Sequence, residues 1–110
     1  MAAPMGRPRV AMPSGAKPGD VIEIRTLIAH PMENGHRRDA SGALVPRDII
    51  RLFTASFEGA EVFRVEAHTA ISANPYFAFP FRAERSGSFT FAWTNDAGTT
   101  VTATARLRVG

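Results

Sequence analysis

The order of apolar and polar residues along this chain has a period of two almost throughout. In the segment 20–29, Ile22, Ile24, Thr26 and Ile28 share one face of an extended chain, and Glu23, Arg25 and Leu27 point to the other. Pro18-Gly19-Asp20 opens this strand and His30-Pro31 closes it, because proline lacks the N–H that a ladder needs. A second strand is predicted over 48–57. Ile49, Phe53, Ala55 and Phe57 fall on one face of it, and Ile50, Leu52, Thr54 and Ser56 on the other. Glu58-Gly59-Ala60 then reads as a short hairpin connection, and the chain returns with Phe63, Val65 and Ala67 inward.

The alternation sharpens in the second half. Phe77, Phe79 and Phe81 oppose Ala78, Pro80 and Arg82, and the proline marks this strand as an edge or a bulged one. Ser86-Gly87 turns the chain, and Phe89, Phe91 and Trp93 form the next inner face. After the turn Asn95-Asp96-Ala97-Gly98, Val101, Ala103, Ala105, Leu107 and Val109 alternate with Thr100, Thr102, Thr104, Arg106 and Arg108. That is a half-buried antiparallel strand with a wet outer face. No window has a period of 3.6 residues. About seven short strands separated by turn signals predict an all-β, immunoglobulin-like antiparallel β-sandwich. The domain is expected over 13–110. Residues 1–12 read as a flexible N-terminal tail, with a possible edge strand at Val10 to Met12.

Two irregular stretches interrupt the strands. One is 30–47, polar and charged, and the other is the corner 68–75. Long loops on a rigid sandwich are common sites of recognition. Arg37 and Arg38 could hold an anion through bidentate guanidinium donors, although a solvated charged loop would look the same. Ile50 and Leu52, together with Val62 on the adjoining arm, would form an apolar patch on the outer face. Tyr76 is predicted exposed, as tyrosines at interfaces are. These four residues are the candidate partner interface. The isolated chain is then expected to self-associate through the patch or to aggregate.

Composition narrows the chemistry. Cysteine is absent, which removes disulfides, thiolate catalysis, cysteine-held zinc and iron–sulfur clusters. His30, His36 and His68 could in principle bind a metal with Glu33 or Asp39, but the spacing matches no standard motif, and no metal or other cofactor is expected. No Gly-x-Ser-x-Gly elbow or glycine-rich phosphate loop occurs, so an enzyme is not expected. The net charge of +3 comes from 13 basic and 10 acidic residues, too scattered for a nucleic-acid platform. No apolar run approaches the roughly 18 residues of a spanning helix, and 1–15 lacks the apolar core of a secretory signal.

Five blocks together resemble a known family. They are Pro18-Gly19-Asp20-Val21-Ile22-Glu23-Ile24; Thr26 to Gly35 (TLIAHPMENG); Pro46-Arg47-Asp48-Ile49-Ile50; Ala70 to Tyr76 (AISANPY); and Ser86 to Phe91 (SGSFTF) with Trp93-Thr94. In this order and spacing they resemble the SoxZ subunit of the bacterial thiosulfate-oxidising system. The resemblance implies a non-catalytic subunit that pairs with SoxY, whose cysteine near a glycine-rich C-terminus carries the sulfur intermediates. It also implies transient contact with the cytochrome and hydrolase components, and a periplasmic location reached by export with the partner. The segments around His30, Met32, Asn34, Arg37, Arg38 and Asn74 would help present the carrier arm. The alternative, from another class, is a generic periplasmic β-sandwich used in adhesion or oligomerisation.

Overall fold

A computed structural model describes residues 6–28, 38–44, 49–66 and 76–110. Eight strands occur among them: β1 (Arg9–Ala11), β2 (Gly15–Ala16), β3 (Val21–Leu27), β4 (Ile50–Phe57), β5 (Ala60–Glu66), β6 (Tyr76–Arg82), β7 (Gly87–Asn95) and β8 (Thr100–Val109). They form two sheets, β1-β3-β6 and β2-β8-β7-β4-β5. Every pairing is antiparallel except β2 with β8, which is parallel. The first strand therefore begins in one sheet and crosses to the other after Met12-Pro13, as the opening strand of many immunoglobulin-like sandwiches does. β1 pairs with β3, and Val10 and Met12 pack on the core, so the packed unit already includes residues 9–12.

The sheets close on aromatic side chains. Phe53 stacks on Phe77 at 4.8 Å and Phe63 on Phe79 at 4.5 Å, while Phe57 meets Phe81 at 5.0 Å. Each pair joins the five-stranded sheet to β6, so β4 and β6 run alongside each other across the core. Trp93, Phe89 and Phe91 are fully buried beneath them. Thr26 is buried on the same face as Ile22 and Ile24, and its hydroxyl donates to the Phe77 carbonyl at 3.0 Å, so the polar atom carries no unpaired burial cost.

The β4–β5 connection is a two-residue turn with Glu58 at φ 49° and Gly59 at φ 84°. Positive φ at both central residues gives the right-handed hairpin twist, and Gly59 adopts it without strain. The Glu58 carboxylate accepts the Ser88 amide at 2.9 Å and clasps this turn to the start of β7.

Two expectations need correction. Ile50 does not lie on the outer face, because it is fully buried in the core. The pairing of β4 with β7 matches Ile50 to Asn95 and Leu52 to Thr94, leaving Arg51 as an extra residue. Such a bulge shifts the alternation by one, so Ile49 and Ile50 are both buried while Leu52 keeps the outer register. Val101 points inward as expected, yet it is only partly buried. Sheet β1-β3-β6 is two strands narrower than the sheet it faces, and near β8 it offers only the three-residue β1.

Candidate functional site

One end of the sandwich gathers the termini of most strands. β3 ends and β6 begins there, since Leu27 pairs with Tyr76. β4 begins and β5 and β7 end there, since Leu52 pairs with both Glu66 and Thr94. The stacking of Phe53 on Phe77 puts both groups of termini at the same end. Two hydrogen bonds brace it: the Asp96 amide donates to the Ile49 carbonyl at 3.0 Å, and the Ile49 amide donates to the side-chain Oδ2 of Asp96 at 3.2 Å.

Residues 38–44 form a tight turn closed by the bridge between Arg38 and Leu44. Asp39 organises it. Its Oδ1 accepts the Ser41 amide at 2.9 Å, the Ser41 hydroxyl at 2.6 Å and the Ala43 amide at 3.1 Å. The Ser41 hydroxyl and amide together hold the Asp39 carboxyl below its ordinary value of 3.8, because they bond the ionised form. Arg38 Nη1 donates to the Gly42 carbonyl at 2.7 Å, so one arm of the guanidinium fastens its own turn and the others face solvent. The turn also exposes Leu44, at 55%. Sequence reasoning missed Leu44, because a single leucine in a polar loop carries no period.

Of the proposed arm-presenting residues, only Arg38 lies among the described residues; His30, Met32, Asn34, Arg37 and Asn74 lie outside them, as do the three histidines. The described residues contain no group of three or more His, Cys, Asp or Glu placed to hold a metal ion.

The proposed interface residues do not form one patch. Ile50 has no surface to offer. Leu52 is half-buried on β4, and Val62 is 40% exposed at a bulge of β5. Between them lies Arg64, which bridges Glu61 at 3.3 Å and Glu66 at 3.2 Å. Tyr76 sits on the other sheet, 55% exposed beside Leu27. The outer face of that sheet carries a further apolar residue, Val21, which is 61% exposed. Its alternation with Glu23 and Arg25 could have revealed it.

Residues 10–106 match the family described as sulphur oxidation protein SoxZ. The chain belongs to the SoxZ family. No curated protein matches it. Among solved structures, this SoxZ-family chain is similar to a point variant of the superoxide reductase (neelaredoxin) from Ignicoccus hospitalis. The identity is 18%, with 96% of this chain and 82% of that chain covered and a TM-score of 0.73. The sulfur carrier protein SoxY from Chlorobium limicola f thiosulfatophilum matches with 10% identity over 94% of this chain and 78% of that one, at a TM-score of 0.66. A putative superoxide reductase from Thermotoga maritima gives 18% identity, 94% and 85% coverage, and a TM-score of 0.65. At these identities the likenesses establish a common fold. The family match supports a component of sulfur oxidation, and the cysteine-free composition means that this SoxZ chain offers no thiol for a sulfur adduct.

Proposed function

We propose that this chain is the non-catalytic half of a two-chain sulfur carrier. It pairs with a SoxY-like subunit, works in the periplasm, and is exported with that partner. The partner's cysteine holds the sulfur intermediate, while this chain supplies a rigid sandwich beside it and meets the cytochrome and hydrolase components only in passing. The observation that carries the reading is the SoxZ match over residues 10–106. The absence of cysteine from all 110 residues agrees with a supporting role, since a thiolate is the usual protein nucleophile toward oxidised sulfur. The braced strand termini and the pinned turn around Arg38 are suited to framing a flexible arm that bears an anionic group, with the solvent-facing guanidinium donors of Arg38 favouring a sulfonate.

The test is co-expression of this chain with a SoxY-like subunit, followed by intact mass measurement after incubation with thiosulfate and the oxidising components. The pair should co-purify, the SoxY-like chain should gain mass, and this chain should keep its own. A stable adduct on this chain, or two subunits that never associate, would sink the reading.

A further inference from the structure

The outer face of sheet β1-β3-β6 has an order that matches itself when reversed. Along β3 the outward residues are Val21, Glu23, Arg25 and Leu27, apolar at both ends with opposite charges between. The register sets beside them, on β6, Arg82, Pro80, Ala78 and Tyr76. We propose that this face binds a second copy of the chain across a twofold axis lying between the two sheets and perpendicular to their strands.

That operation reverses strand direction and leaves β3 over β3 and β6 over β6. Val21 then meets Leu27 of the second copy, and Glu23 meets its Arg25. Tyr76 meets the guanidinium of its Arg82, an arrangement suited to a cation–π contact. Ala78 meets its Pro80, and these small side chains let the sheets approach. The placement of a depression adds to the charge order. A shallow depression of about 440 Å³ lies against Arg9, Ala11, Arg25, Leu27 and Tyr76 at one end of the face. The most exposed large apolar side chain, Val21 at 61%, lies at the other end. The twofold carries each Val21 to the opposing depression.

Within one chain, Arg25 and Glu23 are 3.6 Å apart, and both are more than half exposed. Pairing adds cross-contacts to this ion pair to make a four-charge cluster of alternating sign. Arg82 makes no ion pair or side-chain hydrogen bond among the described residues, so its guanidinium is available for Tyr76 of the second copy. β3 and β6 at seven residues each and β1 at three, with strands about 4.8 Å apart and about 3.4 Å per residue, give a footprint on the order of 280 Å² per copy, well below the roughly 800 Å² of a standard-size interface. The dimer is therefore weak and concentration-dependent. The inference concerns this chain alone and stands independently of the SoxY-like pairing.

The experiment is sedimentation equilibrium of the full chain from micromolar to millimolar concentration, with Glu23→Arg, Arg25→Glu and the double exchange. Circular dichroism confirms the fold of each variant, since every changed side chain is exposed. A monomer–dimer equilibrium is expected in the original chain. Each single change should weaken it at least about tenfold, because the twofold repeats the like-charge clash, and the double exchange should recover affinity to within about threefold. Arg25→Glu is the decisive variant: it lowers the net positive charge, so it would strengthen a dimer limited by general repulsion, whereas this face requires it to weaken. A chain that stays monomeric, a double exchange as weak as the singles, or a strengthened Arg25→Glu dimer overturns the proposal. If the isolated chain is monomeric while co-purification with a SoxY-like subunit is lost in Glu23→Arg, the face belongs to that partner, and self-pairing is equally refuted.

Discussion

The bulge at Arg51 sets the cost of changing Ile50. If β4 alternated without interruption, Ile50 would lie outside, and truncating it would change stability by less than about 0.5 kcal/mol. The structure instead puts it inside at zero exposure. Ile50→Ala removes three buried carbons, at about 0.8 kcal/mol each by transfer, and the unfilled space raises the total to about 3–4 kcal/mol. Leu52 is half-buried, so Leu52→Ala should cost about 1 kcal/mol. Against a domain stability of roughly 5–15 kcal/mol, both variants remain folded enough to measure. Urea unfolding followed by fluorescence suits this chain, because Trp93 is its single tryptophan and is fully buried beside Phe53 at 5.3 Å. The midpoint should fall sharply for Ile50→Ala and slightly for Leu52→Ala, with the slope unchanged. Equal losses, or a larger one at Leu52, would refute the bulged register.

Two further outcomes follow from local geometry. A Cβ at Gly87 would lie 2.5 Å from Phe57 Cζ and 2.7 Å from Glu58 Cγ, so Gly87→Ala should push Phe57 off its packing and cost about 1–3 kcal/mol by thermal unfolding. Asp39 has its folded-state pKa lowered by its turn, so its contribution is present above the ordinary value of 3.8 and is lost as pH falls through the lower folded value. An NMR titration should show the Ser41 and Ala43 amides moving together with a midpoint below 3.8; a midpoint at or above it would show that the carboxylate does not hold the turn.

Most of the fold was legible because its strands bury one face, which turns a period of two into an unambiguous register. Ile22 and Ile24, Phe77 and Phe79, and Phe89, Phe91 and Trp93 all fall on the buried side that their alternation required. The failures share a cause: they depend on the neighbouring strand. Nothing in Ile50-Arg51-Leu52 announces that β7 opposes three residues with two, and the expected outer patch dissolved with that register. Val101 has the right parity, yet its burial is set by the width of the sheet across the core. β2 has only two residues and no period to display. Of the site, the exposure of Tyr76 was readable from alternation. The self-matching order of the outer face was not, because it needs the register of β3 against β6.

The open edges of the sheets provide the last test. One residue past β6, the Ala83 amide donates to Asp20 and its carbonyl accepts from Gly19, so along β6 odd-numbered backbone groups face β3 and even-numbered ones face outward. Pro80 is even, and its missing N–H removes a donor from that free edge, a known guard against added strands. β5 is interrupted by its bulge near Val62 and flanked by the ion pairs of Arg64. β8 has neither device. The Arg108 amide donates to Ser14, and the Gly110 amide to Ala16, so even-numbered amides of β8 point away from β7. Because β7 and β8 pair without a break from Thr100 to Leu107, the amides of Thr102, Thr104 and Arg106 face an edge that no described strand covers. Those of Val101, Ala103 and Ala105 face β7. Hydrogen exchange in dilute solution should therefore alternate along one strand, slow at Val101, Ala103 and Ala105 and fast at Thr102, Thr104 and Arg106. Uniform protection would mean that something covers the edge and that the assigned topology is incomplete. Repeating the measurement at high concentration separates two modes of association. Pairing through the face of β3 and β6 leaves the alternation intact, whereas edge-to-edge pairing through β8 must slow Thr102 and Thr104, since a new strand would take up those amides.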